Sequence, residues 1–261
     1  MIRALYTAAT GMEAQQLKID NISNNIANSQ TIGYKKSTAC FEDMIYQNVK
    51  LAGMSSSASS KSEATLQVGH GTRPTSLQKV FTQGSFKQTQ GDLDLAIEGA
   101  GFFQVRKPNG ELAYTRAGNF RQDKDGNIVT NHGYMIDPPI SIPSDAIKVN
   151  VGEDGVVSVL QAGQQKETEV GKIDLVNFAN PAALEAIGKN LYVANEAAGE
   201  PIVGVPGEEG MGTVLQGFLE SANVNIAEEL IELILAQRGY EMSSKVIQVT
   251  DQMLQNANNM R

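Results

Sequence analysis

Ile2, Leu5, Ala9, Met12, Gln16, Ile19, Ser23 and Ile26 recur in steps of three and four residues, the spacing that places side chains along one seam of an α-helix. Ile22 joins that side, while Arg3, Glu13, Lys18 and Asp20 fall opposite. A helix of about 28 residues is roughly 40 Å long and cannot bury such a seam alone. The other end of the chain offers a counterpart. Asn225 followed by Glu228 has the spacing of a capping box, and Glu228, Glu229 and Glu232 put negative charge near the positive end of the helix dipole. Ile226, Leu230, Leu233, Tyr240, Ile247 and Leu254 then follow a seven-residue rhythm, interrupted by Gln237, Ser244 and Asp251, which weaken the seam but can fix register. An ordinary amphipathic helix packed on the body is the other reading of the same pattern. Gly11 and Gly239 lie inside these helices, where each costs about 1 kcal/mol relative to alanine; a close approach of backbones would account for them.

Between the two ends the period changes from helical to alternating. KPNGELAY, QDKDGNIVT and GEDGVVSV each set Asn-Gly or Asp-Gly before alternating or β-branched residues, a hairpin pattern. GDLDLAIEG alternates Leu93, Leu95 and Ile97 with polar residues, and GFFQV adds a further strand. All eight prolines fall from Pro74 to Pro206, leaving both ends free of the residue most hostile to helix interiors. Residues 53–64, GMSSSASSKSEA, carry no periodicity and read as a flexible linker, or as a segment ordered only when neighbours cover it. The expected fold is α+β: long N- and C-terminal helices forming a coiled-coil-like pair, an extended linker and a central all-β domain. The expected boundaries are 1–35 with 222–261 for the helical part, 36–69 for the linker and 70–221 for the β-rich domain.

Composition narrows the function. A net charge of −8 with no basic stripe excludes nucleic-acid binding as the main task. No run approaches the roughly 20 apolar residues of a membrane helix, so no membrane insertion is expected. The start MIRALYTAATGMEAQQ lacks the h-region and cleavage box of a secretory signal, so export would need a route without a cleaved signal. One cysteine, Cys40, and two histidines, His70 and His132, supply no disulfide and too little for a transition-metal site. Asp123–Asn127 opens like a calcium loop, but the positions that require glycine and glutamate hold Ile128 and Tyr134, and a turn explains it. Gly99-Ala-Gly101 lacks a third glycine and leads into a strand rather than a helix. No GxSxG elbow, HExxH pair or Walker loop occurs. The expectation is a non-enzyme with no catalytic, metal or cofactor residues.

Four stretches together resemble one family. NNIANSQTIGYKK (24–36) is similar to the N-terminal signature of flagellar rod and hook proteins, with Asn24, Asn25, Ala27, Asn28, Thr31, Gly33, Tyr34 and Lys35 at the motif positions. FTQGSFKQTQGDLDLAIEGAGFFQV (81–105) and YTRAGNFRQDKDGNIVTNHGY (114–134) resemble the family's central β-region, and residues 221–254 its C-terminal signature. Residues 41–74 resemble the extended insertion of the branch that builds the distal rod; the family commonly has phenylalanine where Tyr34 stands.

The resemblance implies a structural subunit that self-assembles into a hollow helical homopolymer crossing the periplasm, carrying motor torque to the hook and conducting exported subunits. It implies as partners the proximal rod, the hook or hook-junction proteins, the surrounding basal-body rings and the flagellar export apparatus. A hook or proximal rod subunit is the alternative within the family, and a secreted peptidoglycan-binding or peptidoglycan-cleaving β-domain is the alternative outside it. A rod must be stiff and a hook must let its subunits slide. Deletion of residues 46–65 should therefore bend or soften the polymer seen by electron microscopy; straight, stiff filaments would oppose the distal-rod reading.

Overall fold

Glycine turns set the sheet of the β-rich half. The computed structural model describes residues 2–50, 55–57, 60–61, 66–162, 166–208 and 210–259. Gly110, Gly126 and Gly155 stand at φ +84°, +89° and +78°, the left-handed region that glycine enters without a Cβ penalty. Each closes a hairpin foreseen from its Asn-Gly or Asp-Gly: Lys107 N–H donates to Glu111 O, Asp123 N–H to Asn127 O and Gly152 N–H to Val156 O, all at 2.9 Å. The calcium-like stretch Asp123–Asn127 is one of these turns.

The chain divides into two compact units. One comprises Ala27–Lys36 and Lys79–Asn225, the other Met1–Ile26, Ser37–Gln78 and Ile226–Arg261. In the β-rich unit a nine-stranded sheet is centred on Phe102–Arg106, which pairs antiparallel with Leu112–Thr115 on one edge and with Met135–Ile136 and Leu175–Asn177 on the other. Its consecutive aromatics follow from the alternation of side chains across a strand whose two faces are both covered. Phe103 and Val105 enter one core with Leu95, Ile97 and Phe120, while Phe102 enters a second with Tyr114, Phe178 and Tyr192. Phe103 meets Phe120 edge-on at 5.1 Å, and Phe102 meets Phe81 at 5.3 Å. Ala146–Val151, Val156–Gln161 and Thr168–Lys172 form a separate three-stranded antiparallel sheet that adds Val157 and Val159 to the first core. At Gly118 a Cβ would lie 1.7 Å from Leu95 O, so the backbone approaches there as only glycine allows.

The helical unit contains α1 (Ile2–Ala27) and α2 (Ile226–Asn259). It also holds a ribbon in which Ser37–Asp43 pairs with Thr72–Lys79, and Tyr46–Lys50 pairs antiparallel with Leu66–Gly69. The serine-rich stretch 53–64 lies outside the described residues apart from Ser55–Ser57 and Ser60–Lys61, which pair antiparallel. Helices at both ends, packed together, and a β-rich middle make the fold α+β.

Phe103 is fully enclosed. Phe103→Ala should cost about 3–5 kcal/mol in denaturant titration of the β-rich unit, by the lost burial and the cavity left behind.

Candidate assembly interface

The two helices pair antiparallel along a line of small and polar residues. Asn25 Nδ2 donates to Glu229 Oε2 at 3.2 Å, Lys18 Nζ lies 3.2 Å from Glu232, a Cβ on Gly239 would meet the side chain of Gln15 at 3.1 Å, and one on Gly11 would meet Ser243 at 3.4 Å. Ala8, Ala14, Ile22 and Asn25 are the buried residues of α1, and Glu229, Ala236 and Thr250 those of α2. Small side chains let the backbones approach, and few large apolar groups are consumed in doing so.

The seams read from the sequence run beside this line. On α1, Ile2 is 80% exposed and Ala9 is exposed, Leu5, Gly11, Met12, Ile19 and Ile26 are half-buried, and Ile22 alone is fully enclosed. On α2, Ile226, Leu230 and Tyr240 are exposed while Leu233, Gly239, Ile247 and Leu254 are half-buried. A third line runs along another face of α2. Ile231, Leu235, Met242, Val246, Val249 and Met253 follow one another at helical spacing and are 41–64% exposed, with Arg238 and Glu241 ion-paired beside them at 2.8 Å. This line lies off the heptad rhythm of Leu233, Tyr240, Ile247 and Leu254, although its steps of four, seven, four, three and four residues are equally helical.

The motif residues divide between the units. Asn24 is exposed, and Asn25 is the junction of the helical unit. Asn25 donates to Ser37 O at 2.9 Å and accepts from Ser37 N–H at 3.0 Å, reading one residue's donor and acceptor at once, and Asn21 donates to the same carbonyl at 2.7 Å. An amide carries both functions on one side chain, which no carboxylate or hydroxyl of that length does as well. Ala27 is exposed, Asn28 and Thr31 are half-buried, and Gly33, Tyr34 and Lys35 are buried in the β-rich unit. Gly33 has φ +69°, and a Cβ there would stand 2.6 Å from Ala117 N.

Lys35 is fully buried. Its Nζ donates to Glu220 Oε1 at 2.5 Å and to Thr82 O at 2.8 Å. Burial draws the Lys35 ammonium below its ordinary pKa, against the pull of Glu220 in the other direction. Arg116 lies on the far side of Glu220: Nη1 is 3.5 Å from Oε2, while Nη2 donates to Gly99 O at 2.8 Å. Burial also lowers the Arg116 pKa, and Glu220 again opposes the shift. Glu220, Arg116 and Asn223 carry no local signal that marks them as partners of Lys35; Asn223 lies within the 221–254 signature stretch and Arg116 within the 114–134 stretch.

Comparison with known proteins agrees with this picture. The family model for the flagella basal body rod protein matches residues 5–35, that for the flagellar hook protein FlgE/F/G D1 domain matches 96–159, and that for the flagellar basal body rod FlgEFG protein C-terminal matches 215–260. Similar proteins named flagellar basal-body rod protein FlgG come from Buchnera aphidicola subsp. Schizaphis graminum (47% identical, covering 98% of each chain), Caulobacter vibrioides (45%, covering all of both) and Bacillus subtilis (39%, covering all of both).

Leucine at position 11 or 239 would drive a branched side chain into the facing helix. Gly11→Leu and Gly239→Leu should each abolish assembly, seen by sedimentation, while the melting of the β-rich unit stays unchanged; normal assembly would show that the close approach is incidental.

Proposed function

Because the chain belongs to the flagellar basal-body rod protein family, we propose that it builds a hollow helical homopolymer by docking the exposed apolar line of α2 against the terminal helices of neighbouring copies. It is a structural subunit of the flagellar rod and works in the basal body. The observation that supports the docking is the line of Ile231, Leu235, Met242, Val246, Val249 and Met253. Six apolar side chains in water along one helix form an association surface, since apolar area contributes roughly 25 cal/mol per Å² when removed from water. A contact between different faces of successive copies produces a helical filament when its rotation does not close into a ring.

In such a filament the helices line the inside and the β-rich unit the outside. The tube crosses the periplasm, transmits torque toward the hook and conducts later exported subunits. Its neighbours along the axis are the proximal rod and the hook or hook-junction proteins, and the basal-body rings surround it. Subunits reach the growing end through the flagellar export apparatus. The seam residues Ile2, Leu5, Ala9, Met12, Ile19 and Ile26 on α1 and Ile226, Leu230 and Tyr240 on α2 supply the receiving surfaces.

Leu235→Glu and Val246→Glu test the docking line. Both positions are already in water in the free subunit, so its helicity and melting should not change. Filaments should be lost from electron micrographs and motility from complemented cells. Normal filaments from the double variant would sink the proposal.

A further inference from the structure

Lys35, Glu220 and Asn223 stand at places of special meaning in the connectivity. The chain passes between its two units at four points: residues 26/27, 36/37, 78/79 and 225/226. Three of these points lead, on the β-rich side, into one hydrogen-bonded node. Lys35 and Lys36 precede the second crossing, Lys79, Val80 and Thr82 follow the third, and Glu220 and Asn223 precede the fourth.

Within the node every segment is bonded to both others. Val80 N–H donates to Lys36 O at 2.9 Å. The Asn223 amide accepts from Lys36 N–H at 2.7 Å and donates to Val80 O at 2.8 Å and to Thr82 O at 3.1 Å. Lys35 bridges Glu220 Oε1 and Thr82 O, and the same Glu220 oxygen accepts from Gly84 N–H at 2.9 Å. Gly33 N–H donates to Glu220 O at 2.8 Å, and Ser221 N–H to Ser85 O at 2.8 Å. Lys79 Nζ donates to Lys35 O at 3.1 Å and lies 4.5 Å from the centre of the Tyr34 ring. Arg116 anchors the carboxylate to the sheet, with its guanidinium 5.3 Å from the Phe102 ring centre.

A buried ion pair is a poor source of net stability, because desolvation offsets most of the attraction, but breaking one side of it leaves a charge without a partner in a low-dielectric interior. Such a cluster tolerates one arrangement and penalises all partial openings. That is the property wanted where separate strands must hold or yield together.

We infer that the Lys35–Glu220–Asn223 node is a crossing clamp, which binds three of the four chain passages into one cooperative unit so that load entering or leaving the β-rich unit is shared among them. Its use under load rests on the reading of the chain as a rod subunit; its existence as a cooperative unit does not.

Hydrogen exchange on the full-length monomer tests the clamp without requiring a polymer. In Asn223→Ala the ion cluster is intact and the bridging amide is gone. In Glu220→Gln the charge is gone and the shape is kept. Each variant should speed exchange of the amides of Gly33, Lys36, Val80, Gly84 and Ser221 together, by more than about tenfold, the scale of leaving a buried hydrogen-bonding group without its partner. Exchange in Phe102–Arg106 should stay as it is in the parent protein. Acceleration confined to the amides that lose a bond directly would show separate contacts and overturn the clamp. Equal acceleration throughout the β-rich unit would show an ordinary core element and overturn it as well. Asn223→Ala decides the matter if Glu220→Gln does not fold. Pulling the full-length chain by its two termini with optical tweezers tests the load role: Asn223→Ala should lower the force at which residues 33–36 and 218–223 part, and an unchanged force would overturn it.

Discussion

A lysine without any contact with water sets the terms for the β-rich unit. Lys35 is fully buried, and an ammonium in that position requires a carboxylate and further acceptors at hydrogen-bonding distance. Glu220 and Thr82 O meet that demand from two distant parts of the chain, and Glu220, itself fully buried, then brings in Arg116 and Gly84 N–H. The consequence is topological. Residues 33–36 can lie in only one place, because only there is the charge paired, and residues 79–85 and 218–223 must come to the same place. Hydrophobic burial around Phe102 and Phe103 gives the sheet most of its stability, yet apolar contacts tolerate small shifts of register that a buried charge does not.

The helical unit solves the same problem with a neutral group. Asn25 holds both backbone groups of Ser37 and reaches Glu229 on α2, so one side chain ties α1, the start of the ribbon and the second helix. A neutral amide suits a place that borders the open helical line, since it demands no counter-charge. The two junctions lie ten residues apart in the sequence, at either end of the motif that begins at Asn24 and ends at Lys35. That motif therefore carries a structural lock at each end, one in each unit.

Local signals were readable in the sequence and distant ones were not. The hairpins at Gly110, Gly126 and Gly155 follow from dipeptides that dictate their own backbone, and the long helices follow from periodicity and the absence of proline. Of the antiparallel line between the helices only Gly11 and Gly239 were legible, as glycines inside helices, because alanine, glutamine and lysine carry no apolar signal. The pattern of Ile2, Leu5, Ala9 and Met12 pointed to the neighbouring face instead. Lys35 stood out only as part of a motif, next to a second lysine, Lys36, that is half-buried. Nothing in the local pattern tells which of two adjacent lysines turns inward. Its partner Glu220 lies 185 residues away, and a single sequence holds no record of that pairing.

The division of labour between helix faces carries a thermodynamic consequence. Ala8, Ala14, Ile22 and Ala236 are the apolar residues that the helices bury most fully, which is little area for two helices of 26 and 34 residues. Most of the isoleucine, leucine, valine and methionine side chains of α2 remain in water, and Leu233, Ile247 and Leu254 are half-buried. Helical order is cooperative and draws most of its stability from the burial of an apolar face, so a subunit built this way holds its helix pair by a small margin until other surfaces cover the outward lines. Covering them removes the apolar exposure and adds its free energy to the pair, so assembly and helical order reinforce each other by mass action. The β-rich unit, with its enclosed cores and bound crossings, needs no such help. In the assembly proposed above, a chain firm in the middle and held by a small margin at its ends gains most of its helical rigidity from its neighbours.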